Sequence, residues 1–341
     1  MRKIVCLATS PWYPIPTRKQ QVMSRIPDAE ILYFDPSVTY LAPLKDKAAR
    51  PGLSNYKKEG VHPQENITVY SLPPVLPFFY KFRWINKLNQ RRMARFVRRK
   101  MQAHGFTDAV LWVYSPVTAD LVDLVPHKGL VYDCVDRHSA YGGLMDPTLV
   151  DRMELELAGK TDRTFATADA LAERLRAAQP NTVMIPNGAN FERFVQAAQP
   201  QPVPEDLRDI PHPIFGFVGA LQSCIEYDYL EAAAKARPDW SFVLIGKEKP
   251  GVDLTALHAM PNVHFLGLKP NEQLPQYLAH FDACLNLFAK SDLSKDVSPL
   301  KFYEYLATGH PIVSTRQPDQ ILQYAPLIEI ADSPEEFIAA C

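Results

Sequence analysis

The sequence predicts an α/β protein built from two doubly wound, Rossmann-like domains. Short runs of β-branched and aromatic residues alternate with helical patterns along nearly the whole chain of 341 residues. Strands that lack polar alternation and are separated by helices favour a parallel sheet covered on both faces. Near the middle, a proline-rich stretch without an apolar period interrupts the alternation. We therefore predict domains at 1–195 and 214–341, joined by a linker at 196–213, with the carboxyl ends of both sheets facing a cleft.

The strand-like runs can be placed in chain order. In the first domain they are KIVCLAT, AEILYF, NITVYSL, AVLWVY, GLVYDCV, RTFATA and TVMIPN. In the second domain they are IFGFVGA, SFVLIG, VHFLG, ACLNLF and PIVST, and the helical patterns between them are YDYLEAAAKAR, NEQLPQYLAHF and SPLKFYEYLATG. The alternation of these runs with helices is typical of parallel sheets built from βαβ units.

Composition and charge limit the class of protein. The formal net charge is −1, so no whole-chain field attracts nucleic acid, and we expect none as a partner. The five cysteines are scattered without a Cys-x-x-Cys pair, which indicates reduced thiols and a cytoplasmic protein. Nowhere do 18 apolar residues run together, so we expect neither a signal peptide nor a transmembrane span.

The stretch SPLKFYEYLATG predicts a helix whose N-terminus binds an anion. Ser298 can cap the helix, and Pro299 fits the first turn, where a missing N–H costs nothing. The unpaired N–H groups and the helix dipole then favour a phosphate. Lys301 adds a positive charge for a diphosphate, and Glu304, one turn further, can accept hydrogen bonds from ribose hydroxyls.

Gly309 ends this helix, and HPIVST returns the chain to the sheet. An alternative interpretation is a capped amphipathic helix whose lysine and glutamate lie on a solvated face. Spacing alone leaves both open.

These residues resemble the donor-site signature of GT-B glycosyltransferases. The pattern Pro-x-Lys-x-x-Glu-Tyr-Leu-Ala-x-Gly-x-Pro begins at Pro299, and IPNGANFERF resembles the Pro-Asn-Gly motif of the domain junction. FGFVGAL, RPDWSFVLIG and NVHFLGLKPNEQLPQYLAHFDACLNLF follow the family order of strands and helices. The resemblance covers about residues 183 to 325. It is strongest to bacterial polysaccharide-assembly enzymes, including family 4 and the glycosyltransferases of teichuronic acid and exopolysaccharide synthesis.

The resemblance implies a nucleotide-sugar donor, which we expect to be a UDP-sugar. It implies that backbone groups at the helix start hold the diphosphate and that neighbouring loops approach the donor. The relatives often carry two glutamates eight positions apart, and the first of these corresponds to Asp296, which implies a contact with the sugar. The relatives also carry an Arg/Lys pair after the first strand of this domain. This sequence has no such pair there, so the resemblance implies that Lys301 and Lys247 neutralise the diphosphate charge. The implied donor-binding residues are Ser298, Pro299, Leu300, Lys301, Glu304, Lys247, Gly219 and Asp296. For Lys247, a solvated turn residue is the alternative.

The catalytic base is expected near LVYDCVDRHSAYGG, because the strand GLVYD delivers its polar residues to the carboxyl edge of the first sheet. We predict Asp136 as the base for the acceptor hydroxyl, with His138 as second choice. The resemblance to inverting glucuronosyltransferases also implies a carboxylate here. The alternative is that Asp133 and Asp136 cap loops or the next helix. A retaining mechanism needs no such base, so stereochemistry stays open.

Other catalytic devices are missing from the sequence. It contains no Asp-x-Asp, no Gly-x-Gly, no Walker A loop and no His-Glu-x-x-His. We therefore expect no cofactor and no metal.

A basic, aromatic-rich stretch in PFFYKFRWINKLNQRRMARFVRRKMQAHG contains nine Lys or Arg and no acid. Such a stretch favours an anionic membrane surface. The predicted acceptor or membrane contacts are Arg18, Arg83, Trp84, Lys87, Arg91, Arg92 and Arg95. The alternative for the basic stretch is a pair of helices with one face in the core and a basic face that is merely solvated. The alternative for Arg18 is a position in a loop that is only stiffened by its prolines.

Together these observations predict a metal-independent hexosyltransferase on the cytosolic face of the inner membrane. We expect it to move a sugar to a lipid-linked or membrane-proximal glycan in cell-surface polysaccharide synthesis. The alternatives are a non-hydrolysing UDP-sugar epimerase of the same fold and a non-catalytic nucleotide-sugar-binding protein. The chain stops early in a helix at SPEEFIAAC, where the relatives continue, so truncation or a different closure are both open.

Overall fold

The computed structural model describes residues 1–14, 16–140, 145–291 and 294–341. The chain forms two compact units, Met1–Ile185 and Pro186–Cys341.

The first unit is built on an eight-stranded sheet. Its spatial order is β3-β4-β2-β1-β5-β6-β7-β8. All neighbouring pairs are parallel except β3, which runs antiparallel to β4. The strands are β1 Arg2–Leu7, β2 Ala29–Asp35, β3 Val61–Gln64, β4 Ile67–Ser71, β5 Val110–Val113, β6 Gly129–Cys134, β7 Arg163–Ala166 and β8 Val183–Met184. The seven predicted runs correspond to these strands, and only the short edge strand β3 was not predicted.

Both faces of this sheet are buried, as the continuous apolar runs indicate. Along β1, Val5 and Leu7 belong to one buried cluster, whereas Ile4 and Cys6 belong to another. Successive side chains of a strand point to opposite faces, so the two clusters lie on the two sides. The helices of the unit are α1 Arg18–Met23, α2 Ala42–Lys45, α3 Arg83–Ala103, α4 Pro147–Lys160 and α5 Asp169–Arg176.

The second unit carries a six-stranded, wholly parallel sheet of order β11-β10-β9-β12-β13-β14. Its strands are β9 Ile214–Val218, β10 Ser241–Ile245, β11 Val263–Gly267, β12 Ala283–Asn286, β13 Ile312–Thr315 and β14 Glu329–Ala331. Five of the six match the predicted runs, and β14 was not predicted. Its helices are α6 Phe191–Phe194, α7 Tyr227–Ala236, α8 Thr255–His258, α9 Leu274–Leu278, α10 Leu300–Thr308 and α11 Pro334–Ala340.

The division of the chain differs from the predicted one. The second unit begins at Pro186, so the predicted linker at 196–213 lies within it. Ala197 and Leu207 are 4% and 2% exposed and pack in the cluster that contains Ile214 and Phe302. The prolines of this stretch suggested a free linker, but its few apolar residues are enough to anchor it to the core.

Candidate functional site

Helix α10 begins later than the sequence predicted. It starts at Leu300 with Pro299 as the N-cap residue, and no side chain caps it. The prediction that Ser298 is the cap is wrong. Ser298 is buried, and its Oγ accepts a hydrogen bond of 3.0 Å from the backbone N–H of Asn187. The Asn187 side chain donates a second bond of 2.7 Å to the Ser298 carbonyl.

The start of α10 is suited to an anion because no side chain caps it. The helix has nine residues, and neither its cap residue nor a side chain occupies the N–H groups of the first turn. Unpaired N–H groups at a helix start carry the positive end of the helix dipole. A phosphate placed there receives hydrogen bonds from the backbone at Leu300 and Lys301.

Lys301 and Glu304 form an ion pair one helical turn apart. The Lys301 Nζ lies 2.6 Å from Glu304 Oε2, with side chains 33% and 12% exposed. Burial raises the pKa of Glu304, while the nearby charges of Lys301 and Arg193 oppose that rise. Lys301 is exposed enough to reach a ligand phosphate, and Glu304 is a shielded acceptor for hydroxyl groups.

Two contacts fix α10 relative to its sheet. The Tyr305 hydroxyl accepts a 2.8 Å hydrogen bond from the N–H of Val218, the last residue of β9, and donates to its carbonyl at 3.3 Å. At the other end, Gly309 has φ of 75°, a left-handed conformation that favours glycine, and it ends the helix as predicted. The Tyr305–Val218 bonds therefore fix the helix that carries Lys301 and Glu304 against the end of β9.

The loops after β9 and β10 touch each other closely. Gly219 donates to the Ile245 carbonyl at 2.9 Å, and a Cβ on Gly246 would lie 1.7 Å from the Gly219 oxygen. Only glycine therefore fits at position 246. The neighbouring Lys247 accepts a hydrogen bond from the Leu221 N–H through its carbonyl, and its side chain is exposed. Gly219 and Lys247 thus lie at the carboxyl edge of the sheet, where the resemblance implied.

Asp296 lies in a short 3-10 helix, Ser294–Asp296, and is 8% exposed.

Two residues near α10, Asn187 and Arg193, were not selected from the sequence. Both come from IPNGANFERF, which was read only as a junction motif. Asn187 fastens the segment before α10, and Arg193 contributes positive charge near Glu304.

In the first unit, Arg18 pairs with Asp133. The Arg18 Nε lies 3.2 Å from Asp133 Oδ2, and the two side chains are 11% and 1% exposed. Burial raises the pKa of Asp133, and Arg18 opposes that rise. Arg18 is thus engaged with the end of β6.

Asp136 and His138 follow β6 at the carboxyl edge of the sheet. Asp136 is half-buried. His138 is 3% exposed, and its Nε2–H donates to the Tyr114 carbonyl at 3.0 Å, which places the remaining lone pair on Nδ1 in the neutral ring. Burial lowers the pKa of His138. Residues 141–143 of the same motif lie outside the described residues.

Lys19 belongs to the same cluster and was not selected from the sequence. It is 7% exposed, and its Nζ lies 5.3 Å from the centre of the Tyr114 ring. Burial lowers the pKa of Lys19, whereas the charges of Asp136 and Asp133 act to raise it. The edge of the first sheet therefore combines two carboxylates, Asp133 and Asp136, with two shielded cations, Arg18 and Lys19. The sequence analysis selected Arg18 in this segment, but no pattern in the sequence predicted that the adjacent Lys19 is buried.

Helix α3 presents a basic face. Trp84 is 63% exposed, and the basic residues Lys87, Arg91, Arg92 and Arg95 are exposed along the same helix. Arg83 does not belong to this face, and its prediction as a surface contact is corrected. It donates to Glu156 at 2.8 Å and to Asp120 at 3.0 Å, so its guanidinium is held within the unit.

Among the described residues, no group of three or more His, Cys, Asp or Glu side chains could hold a metal ion. Within the same ranges, no helix is long and apolar enough to cross a membrane.

Comparison with known proteins bears on this geometry. Residues 212–341 match the family described as glycosyl transferases group 1. Over these residues the second unit is similar to group 1 glycosyltransferases. This match covers β9 to α11, including the loops after β9 and β10 and the start of α10.

A curated relative extends the likeness into the first unit. Over 247 residues, 68% of this chain, the sequence is 26% identical to TuaH of Bacillus subtilis (strain 168), which is named as a teichuronic acid biosynthesis glycosyltransferase. The aligned part spans 62% of the length of TuaH. The predicted resemblance to glycosyltransferases of bacterial polysaccharide assembly is confirmed by these two matches.

Solved structures show the fold. The sucrose-phosphate synthase of Thermosynechococcus elongatus matches 100% of this chain and 88% of its own, with a TM-score of 0.69 and 13% identity. An E. coli trehalose-6-phosphate structure bound with UDP-2-fluoro glucose matches 99% of this chain and 90% of its own, with a TM-score of 0.69 and 13% identity. The predicted GT-B class of two Rossmann-like units is thereby confirmed.

Proposed function

We propose that this chain is a glycosyltransferase that takes its sugar from a nucleotide-diphosphate donor, a UDP-sugar, bound by the second unit. The observation that carries the proposal is the uncapped start of α10 beside the Lys301–Glu304 pair, inside the region that matches the group 1 family. The E. coli structure with UDP-2-fluoro glucose supports the choice of uridine.

The chemistry follows from these groups. The α10 backbone and Lys301 stabilise the negative charge that develops on the leaving diphosphate, and Glu304 orients the ribose. In the first unit, Asp136 takes the proton of the acceptor hydroxyl, with His138 as the second candidate. No metal is needed in this scheme, because the positive charge comes from the protein.

We place the acceptor near a membrane. The exposed basic face of α3 supports binding to anionic lipids and to the phosphates of a lipid-linked glycan. The name of TuaH supports a role in cell-surface polysaccharide synthesis. The protein then works in the cytoplasm at the inner face of the membrane.

The decisive experiment is calorimetric titration of the wild type and Lys301→Ala with UDP and GDP, with and without EDTA. We expect UDP to bind, EDTA to leave binding unchanged, and the variant to bind about 10- to 100-fold more weakly, because a charge-assisted contact contributes roughly 1.5–3 kcal/mol. Lys235→Ala is the matched control, since Lys235 forms an exposed helical pair with Glu231 in the same unit.

Absence of nucleotide binding, or equal losses in both variants, would mean that α10 is only a core helix. Binding that disappears with EDTA would overturn the metal-independent scheme.

A further inference from the structure

A set of large apolar side chains in the first unit is exposed. They come from α2 and the segment before it, from the loop before α3, and from the first turns of α3. Leu44 and Trp84 are the most exposed of them, at 82% and 63%. The other members, each 40–46% exposed, are Tyr40, Leu41, Leu76, Phe78, Phe82 and Leu88. We call this set the apolar face. Single exposed apolar residues need no explanation, but contiguous patches mark interaction surfaces.

The elements that carry the apolar face contact one another. The Tyr40 N–H donates to the Val75 carbonyl at 3.0 Å, which joins the segment before α2 to the loop before α3. Leu41 and Phe78 line the same cavity of about 520 Å³. Arg92 of α3 donates to the Tyr40 hydroxyl. The exposed apolar side chains therefore belong to one surface.

Basic residues lie among these apolar side chains. Trp84 and Leu88 are four residues apart on the exposed side of α3. Exposed basic residues repeat around them at helical spacings of three and four, and these are Lys87, Arg91, Arg92 and Arg95. In the loop before α3, the Lys81 Nζ lies 5.7 Å from the centre of the Phe82 ring. The apolar face is therefore surrounded by positive charge.

Carboxylates are scarce in the two stretches that form this face, 36–58 and 72–103. Asp46 is the only acidic residue of their sequences. Its side chain accepts a hydrogen bond of 2.9 Å from a backbone N–H two residues later. Two carboxylates from other elements pair with Arg83 at the start of α3. The positive charge of the face is therefore largely uncompensated.

Phe78 is held in a strained conformation on this surface. Its φ is 64°, in the left-handed region that a bulky residue rarely adopts. Its carbonyl accepts from the N–H groups of Lys81 and Phe82 at 3.0 and 2.9 Å, which closes a turn. The ring is nevertheless 41% exposed, so the strain does not serve to bury it fully. Residues in such conformations cluster at functional sites.

An anionic bilayer matches both properties of the face. Leucine and aromatic side chains beside lysine and arginine are typical of segments that lie in a membrane interface, with the apolar groups at the acyl chains and the charges at the headgroups. A protein partner fits less well, because lysine is depleted in protein interfaces. A second copy of this chain is disfavoured, because a twofold contact would place the same positive surface against itself.

We propose that the apolar face inserts its leucine and aromatic side chains into the acyl region of an anionic membrane, while the surrounding basic residues bind the headgroups. The inference rests on the proposed function and deepens it, since electrostatic binding by α3 alone needs no insertion. Because the face spans two helices and a loop, insertion also fixes how the first unit is turned on the membrane.

The first test uses Trp84 as a reporter, because Trp12 and Trp240 are buried and Trp112 is half-buried. The full chain is mixed with vesicles of phosphatidylcholine and phosphatidylglycerol in equal parts. Lipids brominated along the acyl chain should quench Trp84 emission, and Trp84→Phe should lose this signal but still bind. At 1 M salt, where the Debye length is about 3 Å, part of the wild type should stay bound.

The second test removes apolar side chains without changing charge. Leu41→Ser/Leu44→Ser should weaken vesicle binding about 10- to 100-fold, because two apolar groups no longer leave water on insertion. Leu124→Ser/Val183→Ser is the matched control, since these residues are 39% and 45% exposed in the same unit but lie outside the apolar face. The control should bind vesicles as tightly as the wild type.

Binding without quenching of Trp84, complete release by salt, or equal losses in the two double variants would overturn the inference. So would self-association of the wild type without lipid that Leu41→Ser/Leu44→Ser abolishes, because a second copy would then cover the face. Failure of the wild type to bind any vesicle would also overturn the membrane location in the proposed function. UDP titration of the same samples shows separately whether the proposed donor site holds.

Discussion

Glu304 is a residue of the candidate donor site whose charge depends on its surroundings. Its carboxylate is nearly buried, and its i,i+3 partner Lys301 offsets only part of the cost of ionising it. The spacing of the two residues was enough to predict that they meet, because positions three apart share a helix face. The contribution of Arg193 was not predictable, since it comes from a segment about one hundred residues earlier.

The raised pKa of Glu304 gives a prediction for nucleotide binding. Above that pKa the carboxylate is ionised and accepts strongly from ribose hydroxyls. As pH falls through it, the proton binds and affinity for UDP drops, at a pH above the ordinary glutamate value of 4.5. Calorimetry from pH 8 down to the limit of solubility measures this loss.

Glu304→Gln supplies the comparison, because its side chain does not titrate. The ratio of wild-type to variant affinity removes the titration of the nucleotide itself. A ratio that is constant across the pH range would contradict a role for the Glu304 charge in binding.

At the scale of elements, helix α3 has a buried face and an exposed basic face. Its buried face carries Asn86 and Gln90, and its exposed face carries Trp84 and a row of basic residues. The basic, aromatic stretch was visible in the sequence. The sequence did not show that Arg83 belongs to neither face, because the carboxylates that bind it, Asp120 and Glu156, come from other elements.

The exposed face predicts binding to lipid vesicles. Replacing Lys87, Arg91, Arg92 and Arg95 by glutamine should weaken binding to vesicles that contain anionic lipid by several hundredfold, because each basic residue near the surface contributes about 1 kcal/mol. Binding by the wild type should also fall as salt is added. Co-sedimentation with vesicles measures both effects.

The control removes the same number of charges elsewhere in the unit, by changing the exposed residues Lys128, Arg152, Arg163 and Arg176 to glutamine. Equal losses in the two variants would show that only net charge matters. Binding of the wild type to neutral vesicles alone would contradict the electrostatic proposal.

At the scale of the whole molecule, the candidate groups are distributed over both units. The anion site and its ion pair belong to the second unit, whereas Asp136, His138 and Lys19 belong to the first. Binding of donor and transfer of sugar should therefore be separable by mutation.

Asp136→Asn should lower turnover at least 100-fold while leaving UDP affinity unchanged, because general base catalysis typically contributes 10²–10⁴-fold. Product formation from a radiolabelled UDP-sugar, with calorimetry on the same protein, measures the two effects. Asp108→Asn, an exposed aspartate of the same unit, is the control. Turnover that survives in Asp136→Asn but not in His138→Gln would transfer the role to the histidine.

The sequence by itself determined the strand order along the chain, the parallel character of the sheets and the helix that carries Lys301 and Glu304. These follow from local patterns: apolar runs, helical spacing and the terminating Gly309. Tertiary structure alone decided that Ser298 bonds Asn187 instead of capping α10, that Ala197 and Leu207 of the 196–213 stretch pack into a core, and that Arg83 pairs with Asp120 and Glu156. Each of these depends on a partner distant in the chain or on the burial of a side chain, and neither leaves a periodic signal in the sequence.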